Sequence, residues 1–79
     1  MSALDRKRAA GMARELRRGT VAFAAFVAEF GDSPDELISD LVDLLEHEPR
    51  RGGLLGVSET TYAKYEAKIE RAIQVLENA

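Results

Sequence analysis

The chain carries one histidine, four serines, many carboxylates and no cysteine. His47 stands four residues after Asp43, so the two share a helix face and could both reach one ion. Two ligands leave a zinc site half built, and there is no second histidine or thiolate to complete it. A serine nucleophile needs a base within reach, and His47 is the only imidazole for Ser2, Ser33, Ser39 and Ser58. Ser33 and Ser58 sit where helices should begin, which suits capping. The acidic residues are spread along helix faces, with no pair set apart for proton transfer. The expectation is a non-enzymatic protein with no metal and no cofactor.

The other stretch with chemical content is HEPRRGGLLGVSE, residues 47–59. Arg50 and Arg51, followed by glycines and a helix start, form a candidate anion-binding loop, because helix N-termini point free N–H groups outward. The segment lacks the Gly-Lys-Ser/Thr ending and the preceding strand of a P-loop. LGVSETTY, residues 55–62, resembles the turn and recognition helix of helix-turn-helix proteins, with Gly56 as the turn glycine and Val57, Tyr62 and Tyr65 inward. The preceding helix would have to run through Pro49 and Gly52-Gly53, which disfavour helix, and would bury Arg51. Glu59, Glu66 and Glu70 also offset Lys64, Lys68 and Arg71, leaving little charge for phosphate. The segment reads as a connector that lays Leu54 and Leu55 over the core or against a partner.

Seventy-nine residues make one domain. A domain of this size buries only about 60% of its unfolded surface. The N-terminal MSALDRKRAAGMA has no signal-peptide core, and VAFAAFVAEF is too short to span a bilayer, so a soluble, cytoplasmic protein is expected. The net charge of −3 is unevenly placed. Residues 1–19 hold six basic side chains against two acidic ones, whereas residues 20–49 hold eight acidic and no lysine or arginine. These blocks attract one another, within one molecule or between two copies.

The punctuation is helical throughout, with no period-two segment. Four helices are expected at about 3–18, 20–30, 34–48 and 59–77, an all-α bundle of three to four antiparallel helices joined by short turns. Ser2, with Asp5 three residues on, is a weak cap for the first helix, and Leu4, Met12 and Leu16 recur at helical spacing beside Ala9 and Ala13. A break or kink is expected near 18–20, with Gly19 ending the first helix and Thr20 available as a cap. Residues 21–30 are apolar nearly all round, Glu29 being the only charge. Gly31 should close this helix in the left-handed conformation. Ser33, Pro34 and Glu36 then read as a capping box, and Pro49 as the stop. Ser58 caps the last helix, where Tyr62, Tyr65, Ile69, Ala72, Ile73 and Leu76 make the apolar stripe and Val57 faces Tyr62 as a staple.

DELISDLVDLLEHEP, residues 35–49, resembles the second helix of the nuclease-colicin and pyocin immunity proteins, small acidic four-helix inhibitors of basic nucleases. The resemblance lies in an acidic amphipathic helix with a Glu-His ending near a proline. It implies Asp35, Glu36, Ser39, Asp40 and Asp43 as partner contacts. The family's next short helix carries an aspartate and a tyrosine pair before a proline. Here that place reads RRGGLLGVSE, so the resemblance is confined to one helix.

The leading functional expectation is a protein–protein interaction or self-association module, with Phe23, Phe26, Phe30, Leu54 and Leu55 as surplus apolar surface and the chain itself, as a homo-oligomer, or another protein as partner. The second is an acidic antitoxin-like inhibitor acting through the 35–46 face. The third, weak nucleic-acid binding through Arg6, Arg8, Arg14, Arg17 and Arg18, is disfavoured by the net charge. No membrane partner is expected.

Overall fold

The computed structural model describes residues 3–49 and 56–78. They form four helices: α1 (Ala3–Arg18), α2 (Phe23–Phe30), α3 (Glu36–Glu46) and α4 (Glu59–Glu77). The all-α bundle read from the sequence is the observed fold. Arg14 pairs with Glu70 and Glu77 while Arg17 pairs with Glu66, so α1 and α4 run antiparallel. Arg6 meets Asp35, before α3, and Arg17 meets Glu48, after it, so α1 and α3 run parallel. α4 packs on α1 and α3, and α2 closes the opposite side against the same two helices.

Local chemistry sets the first boundary. The Gly19 N–H donates to the Leu16 carbonyl and the Thr20 N–H to the Glu15 carbonyl, both at 3.0 Å, which is the Schellman pattern. Gly19 takes φ of +84°, a conformation that a side chain resists. Thr20 is spent on α1, since its hydroxyl also donates to the Glu15 carbonyl at 3.0 Å. It therefore does not cap α2, which starts three residues later than expected, behind Ala22 and with no side-chain cap. An eight-residue uncapped helix depends on packing.

The turn before α3 corrects the expected capping box. Gly31 is right-handed, with φ −60° and ψ −30°. A Cβ there would lie 2.6 Å from the Val27 carbonyl oxygen, so the position requires glycine for closeness of approach. Ser33 accepts a hydrogen bond from the Asp35 N–H at 3.2 Å, and Asp35 itself caps α3, accepting from the Leu37 N–H at 2.9 Å. α3 ends at Glu46, before Pro49, with His47 as its C-cap. Its Nδ1 sits 2.9 Å from the Asp43 carbonyl, which also accepts the His47 backbone N–H at 3.1 Å. Ser58 caps α4 as expected, accepting from the Thr61 N–H at 3.2 Å.

The core comprises Ala9, Ala10 and Ala13 of α1, Phe26 and Phe30 of α2, Ile38, Leu41, Val42 and Leu45 of α3, and Tyr65, Ile69, Ile73 and Leu76 of α4. The alanines of α1 let its neighbours approach closely, and the two phenylalanines fill the space that this leaves, their rings 5.4 Å apart. Leu4 is not part of the stripe: it is 67% exposed. Among the described residues no helix is long and apolar enough to cross a membrane.

Candidate functional site

The α1 arginines are consumed inside the molecule. Arg14 clasps two carboxylates of α4, with Nε and Nη2 donating to Glu77 at 2.8 Å each and Nη1 and Nη2 donating to Glu70 at 3.0 and 2.9 Å. These hydrogen bonds hold the Glu70 and Glu77 carboxyls below their ordinary values and raise the Arg14 guanidinium. Arg17 donates to Glu48 at 2.7 Å and Glu66 at 3.3 Å, with its guanidinium 5.9 Å from the Tyr65 ring centroid. Arg8 pairs with Glu29 and lies 5.7 Å from the Phe30 ring centroid. Arg18 pairs with Glu15.

Asp35 needs the largest correction as a site residue. It is only 5% exposed, with one carboxylate oxygen capping α3 and the other accepting from Arg6 Nε at 2.7 Å. The Arg6 hydrogen bond, against the opposing effect of burial and with help from the Leu37 N–H, holds this carboxyl below the usual range. Asp35 is a structural pair, closed to a partner. Phe26 and Phe30 are corrected likewise: they are core residues, at 0% and 6% exposure, and Phe23 is half-buried against them. Leu54 and Leu55, and the anion-loop residues Arg50 and Arg51, lie outside the described residues, as does Ser2.

The remaining acidic-face residues stay on the surface. Glu36, Ser39, Asp40 and Asp43 are exposed along α3. None of these three carboxylates takes part in a salt bridge among the described residues. Beside them runs a groove between α3 and α4. Its wider part, of 660 Å³, lies between Asp40, Asp43 and His47 on one wall and Thr61, Lys64 and Lys68 on the other, with Leu44 and Tyr65 below. It continues as a 320 Å³ cleft past Leu37, Arg71, Ala72 and Val75. Tyr65 closes the floor by donating its hydroxyl to the Leu44 carbonyl at 2.7 Å. Burial, reinforced by Glu48, pushes this phenol up to about 12.

The basic wall was missed in reading the sequence, although its signal is periodic. Lys64, Lys68 and Arg71 recur in steps of four and three, which puts them on one edge of α4. Glu66, Glu70 and Glu77 fall on the other edge, where α1 meets them. Val75, at 44% exposure, supplies an exposed apolar side chain to the groove.

No group of three or more histidine, aspartate or glutamate side chains among the described residues could hold a metal. His47 uses its Nδ1 on a backbone carbonyl. No protein-family model matches the chain, and no curated protein or solved structure matches it.

Proposed function

We propose that this protein is a non-enzymatic interaction module that binds protein through the α3–α4 face. One observation carries the reading. The arginines of α1 are paired within the fold, whereas the charges flanking the α3–α4 groove have no salt-bridge partner among the described residues, and the groove between them is floored by carbon. An apolar strip bordered by uncommitted charge combines buried area with orientation. Another outward apolar surface among the described residues, Ala24, Ala25, Val27 and Ala28 of α2, belongs to a helix of eight residues, about 12 Å long. That is a smaller face than α3 and α4 offer together.

The acidic-inhibitor reading keeps one specific support, the exposed Glu36, Asp40, Asp43 and Glu46 of α3, which have no salt-bridge partner among the described residues. It requires a partner that is basic throughout, which Lys64, Lys68 and Arg71 would repel. Nucleic-acid binding loses its basis where Arg6, Arg8, Arg14, Arg17 and Arg18 already hold carboxylates.

The test is a photo-crosslinking residue placed at Val75 in the groove, or at Ala25 on α2 as control, in cells that express the protein. Discrete protein adducts from Val75 and none from Ala25 are expected. Identical products from both positions, or none from Val75, would refute the docking face.

A further inference from the structure

We infer that the α3–α4 groove is a two-fold interface, and that its occupant is the same groove of a second copy of this chain. The inference rests on the docking-face reading above and commits it to one partner. Its first element is charge order. One rim carries Asp40 and Asp43, and the other carries Lys64, Lys68 and Arg71, in parallel rows about one helix diameter apart. A uniformly basic partner would meet like charge along α4, and a polyanion would meet it along α3. A surface with the same two rows in mirrored order satisfies both, and a second copy supplies that order by symmetry.

The second element is the choice of two-fold axis. A closed dimer brings the same patch of both copies together. With the axis across the helices, α3 would face α3 and α4 would face α4, setting aspartate against aspartate and lysine against lysine. With the axis along the helices, α3 of one copy lies on α4 of the other, and each acidic row meets a basic row. α3 and α4 run antiparallel, because the groove pairs the end of α3 at His47 with Thr61 and its start at Leu37 with Val75. Both arrangements then leave every neighbouring pair of helices antiparallel, the orientation that helix dipoles favour, and the charge rows alone select the second. Leu44 and Val75, left partly open in the monomer, are covered in it.

The third element is size. α3 has eleven residues and is about 16 Å long, and two adjacent helices are about 20 Å wide. Such a face covers on the order of 300 Å² per copy, below the roughly 800 Å² of a standard interface. The dimer is therefore weak and reversible, and its charge rows make it sensitive to salt.

Sedimentation equilibrium on the full chain tests this with four samples: the parent, Lys64→Glu/Lys68→Glu, Asp40→Lys/Asp43→Lys, and the two variants mixed in equal amounts. All four positions are exposed, and thermal melts of each variant verify its fold. The parent mass is expected to rise from 8.7 kDa toward twice that value with concentration, and less so at high salt. Each variant alone repels its own copy and stays monomeric. The mixture regains association, because the predominantly acidic face of one variant meets the predominantly basic face of the other. A parent that stays monomeric, an association that strengthens with salt, or a mixture that fails to associate would each overturn the inference. A monomeric parent whose Val75 crosslinker captures a different protein overturns the second copy alone. A monomeric parent with no Val75 adduct overturns the docking face as well.

Discussion

Replacing Phe26 with alanine separates a core phenylalanine from one held out for a partner. Phe26 is fully buried, and its ring lies 5.4 Å from that of Phe30. Truncating a buried phenylalanine costs about 3–5 kcal/mol. Because α2 is short and lacks a side-chain cap, it can settle partly into the space, which favours the lower end, about 3 kcal/mol. A 79-residue domain has a total stability of roughly 4–12 kcal/mol, so a quarter or more is lost. At about 4–8 °C per kcal/mol for a domain of this size, the melting temperature should fall by roughly 12–24 °C. The assay is a thermal melt followed by circular dichroism, with exposed Ala25→Gln on the same helix as control, expected within about 0.5 kcal/mol of the parent. A Phe26→Ala protein that melts within about 3 °C of the parent, a shift worth less than 1 kcal/mol, would refute the core assignment.

Three further outcomes follow from named contacts. Gly19→Ala forces a side chain into the left-handed conformation and should cost about 1–2 kcal/mol by chemical denaturation, whereas exposed Gly11→Ala in mid-helix should stabilise. The Asp35, Glu70 and Glu77 carboxyls are depressed by Arg6 and Arg14, so their stabilisation is present above their unfolded values near about 4 and lost as pH falls through the lower folded values. Melting temperature should hold level from neutral pH to about 5 and then drop, and Arg14→Gln should lower the plateau and flatten the acid limb. The Tyr65 phenol titrates in the folded state at about 12, above its unfolded value near about 10, so its contribution is intact below 10 and is lost as pH rises between the two. Phenolate absorbance should show one tyrosine titrating late, and Tyr65→Phe should abolish that step at a cost of about 1 kcal/mol from the lost bond to Leu44.

The helix ends that carry their own chemistry were legible in the sequence. Gly19 stops α1 and Ser58 starts α4 through contacts within five residues, so local reasoning reached both. The start of α3 was not legible for a physical reason. Ser33 and Asp35 are both competent caps, and Arg6, 29 residues away, helps select the carboxylate. The fate of the phenylalanines was equally non-local. Residues 21–30 look apolar on every side, and only packing against α1 and α3 decides that Phe26 and Phe30 go in while Val27 stays 38% exposed. The opposite charges of residues 1–19 and 20–49 were plain, and Arg6, Arg8 and Arg17 do reach the acidic middle. That Arg14 would instead choose α4 required knowing that α4 presents separate acidic and basic edges. This division was written in its period and went unread because its charges nearly cancel. Asp40 and Asp43 of the α3 rim stood among the candidate contacts read from the sequence, whereas Lys64, Lys68 and Arg71 did not.

The most direct test of self-association through the α3–α4 face is the backbone amide spectrum of the isotope-labelled protein, followed at low salt on dilution from about 1 mM to about 20 µM, since an interface of this size is weak. The expected result is a set of shift changes confined to residues 37–47 and to the Thr61–Val75 edge of α4, with α1 and α2 unmoved. Changes centred on α1 or on the outer face of α2, or a spectrum that does not move with concentration, would contradict it.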